Sequence, residues 1–243
     1  RALSAFFGKR RKDLDVEKLV SAARQFLLED YRSMGDLRAH LLDVEPETDA
    51  DAMAYLIRTH LPLVQVPPGG TWGRGSMATY ALAEEWLGEF DKTADVQAFF
   101  LRYLAANGPA SVMDFQTWTG MTKLKDDIEA LRPQLVTHRT EDGKELFDLP
   151  DMTIPAEDTP VPVRFIPEYD NLLIAHADRT RIIADEHRKQ VFLSAGRVAS
   201  TILVDGFVAG TWKIATKKGT VTLNISQFHP LDSSVQEALF REG

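Results

Sequence analysis

The chain has 243 residues, no cysteine, and a formal net charge of −8 from 28 Lys plus Arg against 36 Asp plus Glu. The cysteine count excludes disulfides, thiolate zinc sites and cysteine nucleophiles. A hydrophobic fraction of 44% excludes a disordered chain, and the acidic total argues at first sight against a nucleic-acid binder.

No apolar run approaches the roughly 18 residues of a membrane-spanning helix, and the basic start, Arg1 to Lys12, is too short in apolar residues for a signal peptide. A soluble, cytoplasmic protein is expected. The first helical face carries Val16, Leu19, Val20, Ala23, Phe26 and Leu27. Two capping-box patterns, Ser33-Met34-Gly35-Asp36 and Thr48-Asp49-Ala50-Asp51, each open a further helix, the second running to His60. Leu61 to Val66 reads as a strand, Pro67-Pro68-Gly69-Gly70 as a turn, Met77 to Leu82 as a return strand and Ala83 to Leu87 as a short helix.

The same order restarts at Thr93. Val96, Phe99, Phe100, Tyr103 and Leu104 share a helical face that stops at Asn107-Gly108-Pro109. Ser111 opens a second helix and Thr122 a third, with Leu124, Ile128 and Leu131 inward. Leu135 to Arg139 and Glu145 to Leu149 flank an Asp142-Gly143 hairpin signal. Three helices and a hairpin, twice over, match two tandem winged helices or two generic α+β modules.

Pro150 to Pro162 reads as a linker. Beyond it, Ile182 to Leu193 includes a helix. Ser200 to Val204, Phe207 to Ile214 and Thr220 to Ser226 read as strands joined at Asp205-Gly206 and Lys217-Lys218-Gly219. Val208, Gly210, Trp212 and Ile214 share one face, and Val221, Leu223 and Ile225 point inward. The expected fold is therefore α+β, with winged-helix (helix-turn-helix) modules at 1–90 and 91–150 and a β-rich, barrel-like C-terminal domain at 151–243.

The six histidines, His40, His60, His138, His176, His187 and His229, show no two-His helical spacing, so no metal site and no cofactor is expected. Neither a phosphate loop nor a Gly-x-Ser-x-Gly elbow occurs. Three segments are richer in functional residue types than a core needs. Trp72 and Arg74 would stand at a wing tip, with Trp72 equally able to pack back on its module. Glu168, Asp170, Asn171, His176, Asp178 and Arg179 surround an apolar stretch, either as a cleft that orients a group or water, or as an internal polar network. Lys213, Lys217 and Lys218 form either a strip that faces phosphates or a solvated hairpin.

Several blocks carry a family resemblance: Leu61 to Pro68 with Trp72-Gly73; Arg102-Tyr103-Leu104 with Gly108-Pro109-Ala110; Trp118-Thr119-Gly120; Pro167 to Arg179; and Asp205 to Trp212. In this order they resemble the AlkZ/YcaQ-like DNA glycosylases, also catalogued as winged-helix DNA-binding domain proteins. The resemblance implies a bacterial, metal-independent hydrolase that cleaves the N-glycosidic bond of alkylated bases, including some interstrand crosslinks. It implies double-stranded, alkylated DNA as partner, a nucleoid-associated location and a monomer.

The family's catalytic Gln-x-Gln is missing, because all eight glutamines are isolated. The resemblance begins at what would be the family's second winged helix, and the first residue is Arg. The expectation is a piece without the catalytic domain that keeps DNA-cradling surfaces. Gly69 departs as well, since relatives commonly carry a basic residue there. The residues expected to contact the DNA backbone are Arg74, Lys123, Lys125, Arg179, Arg181, Arg188 and Lys213, with Lys123 and Lys125 near the start of the second module's third helix. A non-catalytic DNA-binding regulator and a protein-interaction scaffold are the alternatives.

Charge by region qualifies the total. Residues 13–60 hold 5 basic and 11 acidic groups, whereas residues 176–219 hold 8 basic and 4 acidic. What a ligand meets is the local field, screened over about 8–10 Å.

Overall fold

The computed structural model describes residues 14–71, 77–89, 93 and 95–243. Trp72 and Arg74 lie outside the described residues. The chain divides into two compact units, 1–93 and 94–243.

In the first unit, helix α1 (Val16–Glu29) starts where the Asp15 side chain accepts the Lys18 N–H at 3.0 Å. Its fully buried stripe is Leu19, Ala23 and Leu27, an i, i+4, i+8 row, and Val16 is exposed rather than inward. Helix α2 (Met34–Val44) carries the expected reciprocal box between Ser33 and Asp36. Helix α3 (Ala50–His60) is capped by Asp49, which accepts the Ala52 N–H at 2.9 Å. Strands β1 (Arg32–Ser33), β2 (Leu63–Val66) and β3 (Thr79–Leu82) form an antiparallel sheet in the order β1-β3-β2, followed by α4 (Ala83–Leu87). Leu19, Leu37, Leu41, Met53, Leu56, Ile57 and Leu82 close one core between helices and sheet. Each such side chain contributes about 1.5–3 kcal/mol by burial, so Leu41→Ala alone would cost about 2–5 kcal/mol.

The second unit opens with α5 (Val96–Asn107), α6 (Val112–Thr119) and α7 (Lys125–Glu129). A hairpin of β4 (Val136–Arg139) and β5 (Glu145–Asp148) follows. Helix α7 starts three residues later than Thr122, because Lys123 adopts a left-handed φ of 64° that cannot continue a helix turn. Phe100, Tyr103, Leu104, Phe115, Ile128 and Phe147 form this core, and Ala175, from well downstream, packs into it.

Strands β6 (Arg164–Ile166), β7 (Thr201–Val204), β8 (Phe207–Lys217) and β9 (Thr220–Gln227) make an antiparallel sheet in sequence order. Asp205 and Gly206 both take positive φ, 51° and 73°, the two-residue turn that this dipeptide favours. The sheet is open, with β6 and β9 as its edges, so the expected barrel-like closure is not met. The helix expected within Ile182 to Leu193 is α9 (Arg188–Val191, continuing a 3₁₀ turn at Asp185–His187), whereas α8 (Asn171–Ile174) and α10 (Ser233–Glu242) are not visible as such in the sequence.

The hairpin of β8 and β9 departs from the expected alternation. Ile214 is 61% exposed and Val221 65%, and every residue from 213 to 222 is exposed. The reason is length. Strand β7 has four residues and pairs with β8 only as far as Thr211, so the outer half of the hairpin has no sheet beside it.

Candidate functional site

Two adjoining clefts in the second unit collect most of the polar cluster expected between Glu168 and Arg179. One, of about 310 Å³, is lined by Asn107, Asn171, His176, Asp178, Arg179 and Arg181 among others. The other, of about 480 Å³, shares His176, Asp178 and Arg181 with it and adds Asp114 and Lys144.

The floor is built by α6. Its N-terminal box places Asp114 so that Oδ2 accepts the Ser111 N–H at 2.7 Å and the Ser111 hydroxyl at 2.6 Å. Oδ1 accepts the Ala177 N–H at 2.9 Å, and Lys144 Nζ stands 3.9 Å away. Burial opposes the charged carboxylate, but the hydrogen bonds from Ser111 and Ala177 and the Lys144 charge outweigh it and hold Asp114 below the usual carboxylate range. Both oxygens are engaged, so Asp114 positions the 175–181 segment and is not free to act as a base. A second tie comes from Tyr103, whose hydroxyl donates to the Ala175 carbonyl at 2.6 Å. Burial, aided by the Asp114 charge, raises the Tyr103 phenol far above its ordinary value, and it stays protonated.

His176 Nε2 lies 2.9 Å from the Asn107 carbonyl oxygen. Burial first, then the Arg181 charge, lowers its pKa below the usual imidazole value. The ring is neutral at pH 7, with Nε2–H donating and Nδ1 left as an acceptor. Asp178 accepts the Thr180 hydroxyl and N–H at 2.7 and 3.0 Å, bonds that lower its pKa and keep it anionic. Arg179 lies over the Phe192 ring at 4.2 Å with its Nε buried and unpartnered among the described residues. Burial, then the Arg188 charge, lowers its pKa. Arg181 Nη1 approaches the Pro109 carbonyl at 3.5 Å.

The other expected residues are placed as follows. Asn171 lines the cleft, and its Oδ1 accepts the Trp118 indole N–H at 3.1 Å. Asp170 caps α8 through the Leu172 N–H at 2.9 Å, and Glu168 is exposed; neither lines the two clefts. Arg188 pairs with Asp185 at 3.2 Å. Lys123 and Lys125 are exposed at the start of α7, and Lys213 is exposed on β8. Sequence reasoning missed Asn107, Asp114 and Lys144 as parts of the cleft. For Asp114 the signal was present as a capping box, which accounts for Oδ2 and leaves Oδ1 unexplained. The clefts bring Arg179, Arg181 and Lys144 together with four carboxylates, Asp114, Glu141, Asp142 and Asp178. Their lining is of mixed charge, and no group in it stands out as an activated nucleophile.

A family model described as DNA glycosylase AlkZ-like matches residues 1–243. The chain belongs to the AlkZ-like DNA glycosylase family. It is 27% identical over 128 residues to a Streptomyces sahachiroi protein named interstrand DNA cross-link repair glycosylase, a match covering 49% of this chain and 34% of that relative. Its fold is similar to that of the solved Streptomyces sahachiroi DNA glycosylase AlkZ, with a TM-score of 0.70 at 20% identity, over 93% of this chain and 64% of the solved one. The chain thus spans less than two thirds of the length of the AlkZ-like relatives it matches. Among the described residues no helix is long and apolar enough to cross a membrane.

Proposed function

We propose that this chain is the DNA-cradling part of an AlkZ-like base-excision repair enzyme that acts on alkylated duplex DNA, crosslinked DNA included. The observation that carries the reading is the overhanging β8–β9 hairpin. It presents Lys213, Lys217 and Lys218 on a two-stranded ribbon, exposed on both faces, in a chain matched end to end by a glycosylase family. A ribbon of two strands fits a DNA groove, and lysines along it meet phosphates. The three-helix-plus-hairpin order at 1–90 and 91–150 supports tandem winged helices, with 151–243 as a separate β-rich module. In this reading Arg74, Lys123, Lys125, Arg179, Arg181, Arg188 and Lys213 contact the backbone. The protein works as a cytoplasmic monomer at the nucleoid.

Excision itself requires access to the nucleoside and a water placed against the sugar carbon. A cationic alkylated purine is a good leaving group, so modest electrostatic help suffices. The 243 residues contain no Gln-x-Gln, which favours as the second reading a DNA binder without excision.

The test is fluorescence anisotropy on alkylated and undamaged duplex over a range of salt. Reversing Lys213, Lys217 and Lys218 to Glu should weaken binding and flatten the salt slope by about 0.9 for each phosphate no longer neutralised. Unchanged binding overturns the assignment. Release of 7-methylguanine by the full-length gene product then separates enzyme from binder.

A further inference from the structure

The histidine spacing gives no hint of a metal site, yet the fold of the second unit brings two histidines together. His187 ends the 3₁₀ turn Asp185–His187, and His229 follows β9 by two residues. Their Nε2 atoms are 2.9 Å apart across 42 residues of sequence. Oε1 of Glu186 stands 3.3 Å from His187 Nε2 and 3.8 Å from His229 Nε2. Two imidazole nitrogens and a carboxylate oxygen thus face one another.

The separations match what one ion requires. A circle through three points so spaced has a radius of about 2.0 Å, so an ion at about 2.1 Å from each donor would stand about 0.7 Å off their plane, as a tetrahedral centre does above three of its ligands. Imidazole and carboxylate together suit zinc and its divalent transition-metal neighbours rather than magnesium or calcium.

The ring of His187 is also held in place. It stacks on Phe228 with centroids 4.3 Å apart, and its side chain is only 12% exposed. The Gln190 side-chain amide lies 3.2 Å from its Nδ1. The atom placed there is the amide nitrogen; turned over so that the amide oxygen accepts from Nδ1–H, Gln190 would fix the tautomer that leaves the Nε2 lone pair for a metal, as outer partners of metal-bound histidines do. Glu186 and His229 are exposed, so a fourth position opens to solvent.

We propose that Glu186, His187 and His229 bind one divalent transition-metal ion, of the zinc class, with a solvent-facing fourth position. The ion would clamp the 185–191 segment to the end of β9, from which the lysine-bearing hairpin projects. The site stands independently of the DNA reading.

The experiment titrates the full-length gene product, freed of any histidine tag, with zinc by calorimetry and with cobalt by visible absorption, and follows thermal unfolding with and without zinc. One ion per chain and a melting temperature that rises with zinc concentration are expected. His229→Ala and Glu186→Gln change exposed groups, so both variants should melt like the metal-free parent. His229→Ala should lose more affinity than the about 10–100-fold that removing an outer-shell partner costs, along with the zinc-dependent shift. No binding by the parent protein, or binding by His229→Ala as tight as the parent's, overturns the proposal.

Discussion

Asp114 and Ala177 are joined by a 2.9 Å hydrogen bond from the Ala177 backbone to the Asp114 carboxylate, across 63 residues of sequence. The same carboxylate caps α6 through Ser111, so one side chain starts a helix and anchors the segment that carries His176, Asp178 and Arg181.

Asp114→Asn keeps the size and removes the charge, leaving an N–H donor where Ser111 needs an acceptor. A loss of about 2–3 kcal/mol is expected, from a helix cap plus a buried unsatisfied group. Because the folded pKa of Asp114 is depressed, its contribution is present above the ordinary carboxylate value of 3.8 and is lost as pH falls through the folded value. Urea unfolding from pH 7 to pH 3 should show the parent losing more stability than the variant.

His176 should titrate below the ordinary imidazole value of 6.5, since burial and Arg181 disfavour its charged form. A depressed histidine binds its proton less readily when folded. Its contribution is therefore complete above that value and is lost as pH falls toward the folded pKa. Ring-proton NMR over pH 4–8 checks this, and a midpoint at or above 6.5 contradicts it.

Gly108 has an ordinary φ of −67°, so its requirement is space rather than backbone freedom. A Cβ there would lie 2.7 Å from the Leu104 carbonyl oxygen and would meet the Asp148 carboxylate. Gly108→Ala should cost about 1–3 kcal/mol by overpacking and should disturb the neighbouring Asn107–His176 bond. Denaturation midpoints and the His176 ring signals read out both effects.

Arg179 is half-withdrawn over Phe192 with an Nε that has no partner among the described residues. Arg179→Met keeps the aliphatic stem and removes a donor with no acceptor. Stability should stay within about 1 kcal/mol of the parent. A DNA role for Arg179 predicts weaker duplex binding by the same variant, measured by anisotropy, and equal binding would assign it to packing alone.

Much of the local structure is readable. Ser33-x-x-Asp36 and Ser111-x-x-Asp114 both form the boxes their spacing announces, and Asp205-Gly206 turns as that dipeptide should. The start of α7 differs because the left-handed Lys123 follows from the turn's packing, with the Leu124 N–H donating to the Gln116 side chain at 2.9 Å, and not from any propensity of Thr122. Ile214 and Val221 alternate like core residues but are bare, because alternation reports which face a side chain takes and not whether anything covers that face.

The sequence by itself determined most helices up to residue 119, the capping boxes at Ser33 and Ser111, the tight turns and, through ordered blocks of residues, the family. Those signals rest on contacts within about four residues, where the chain's own geometry leaves few choices. Tertiary structure alone decided which distant groups meet: Asp114 with Ala177, Tyr103 with Ala175, His187 with His229, and a hairpin left to overhang a four-residue strand. Such meetings depend on how whole elements pack and on where a neighbouring strand ends, and no periodicity within a segment records either.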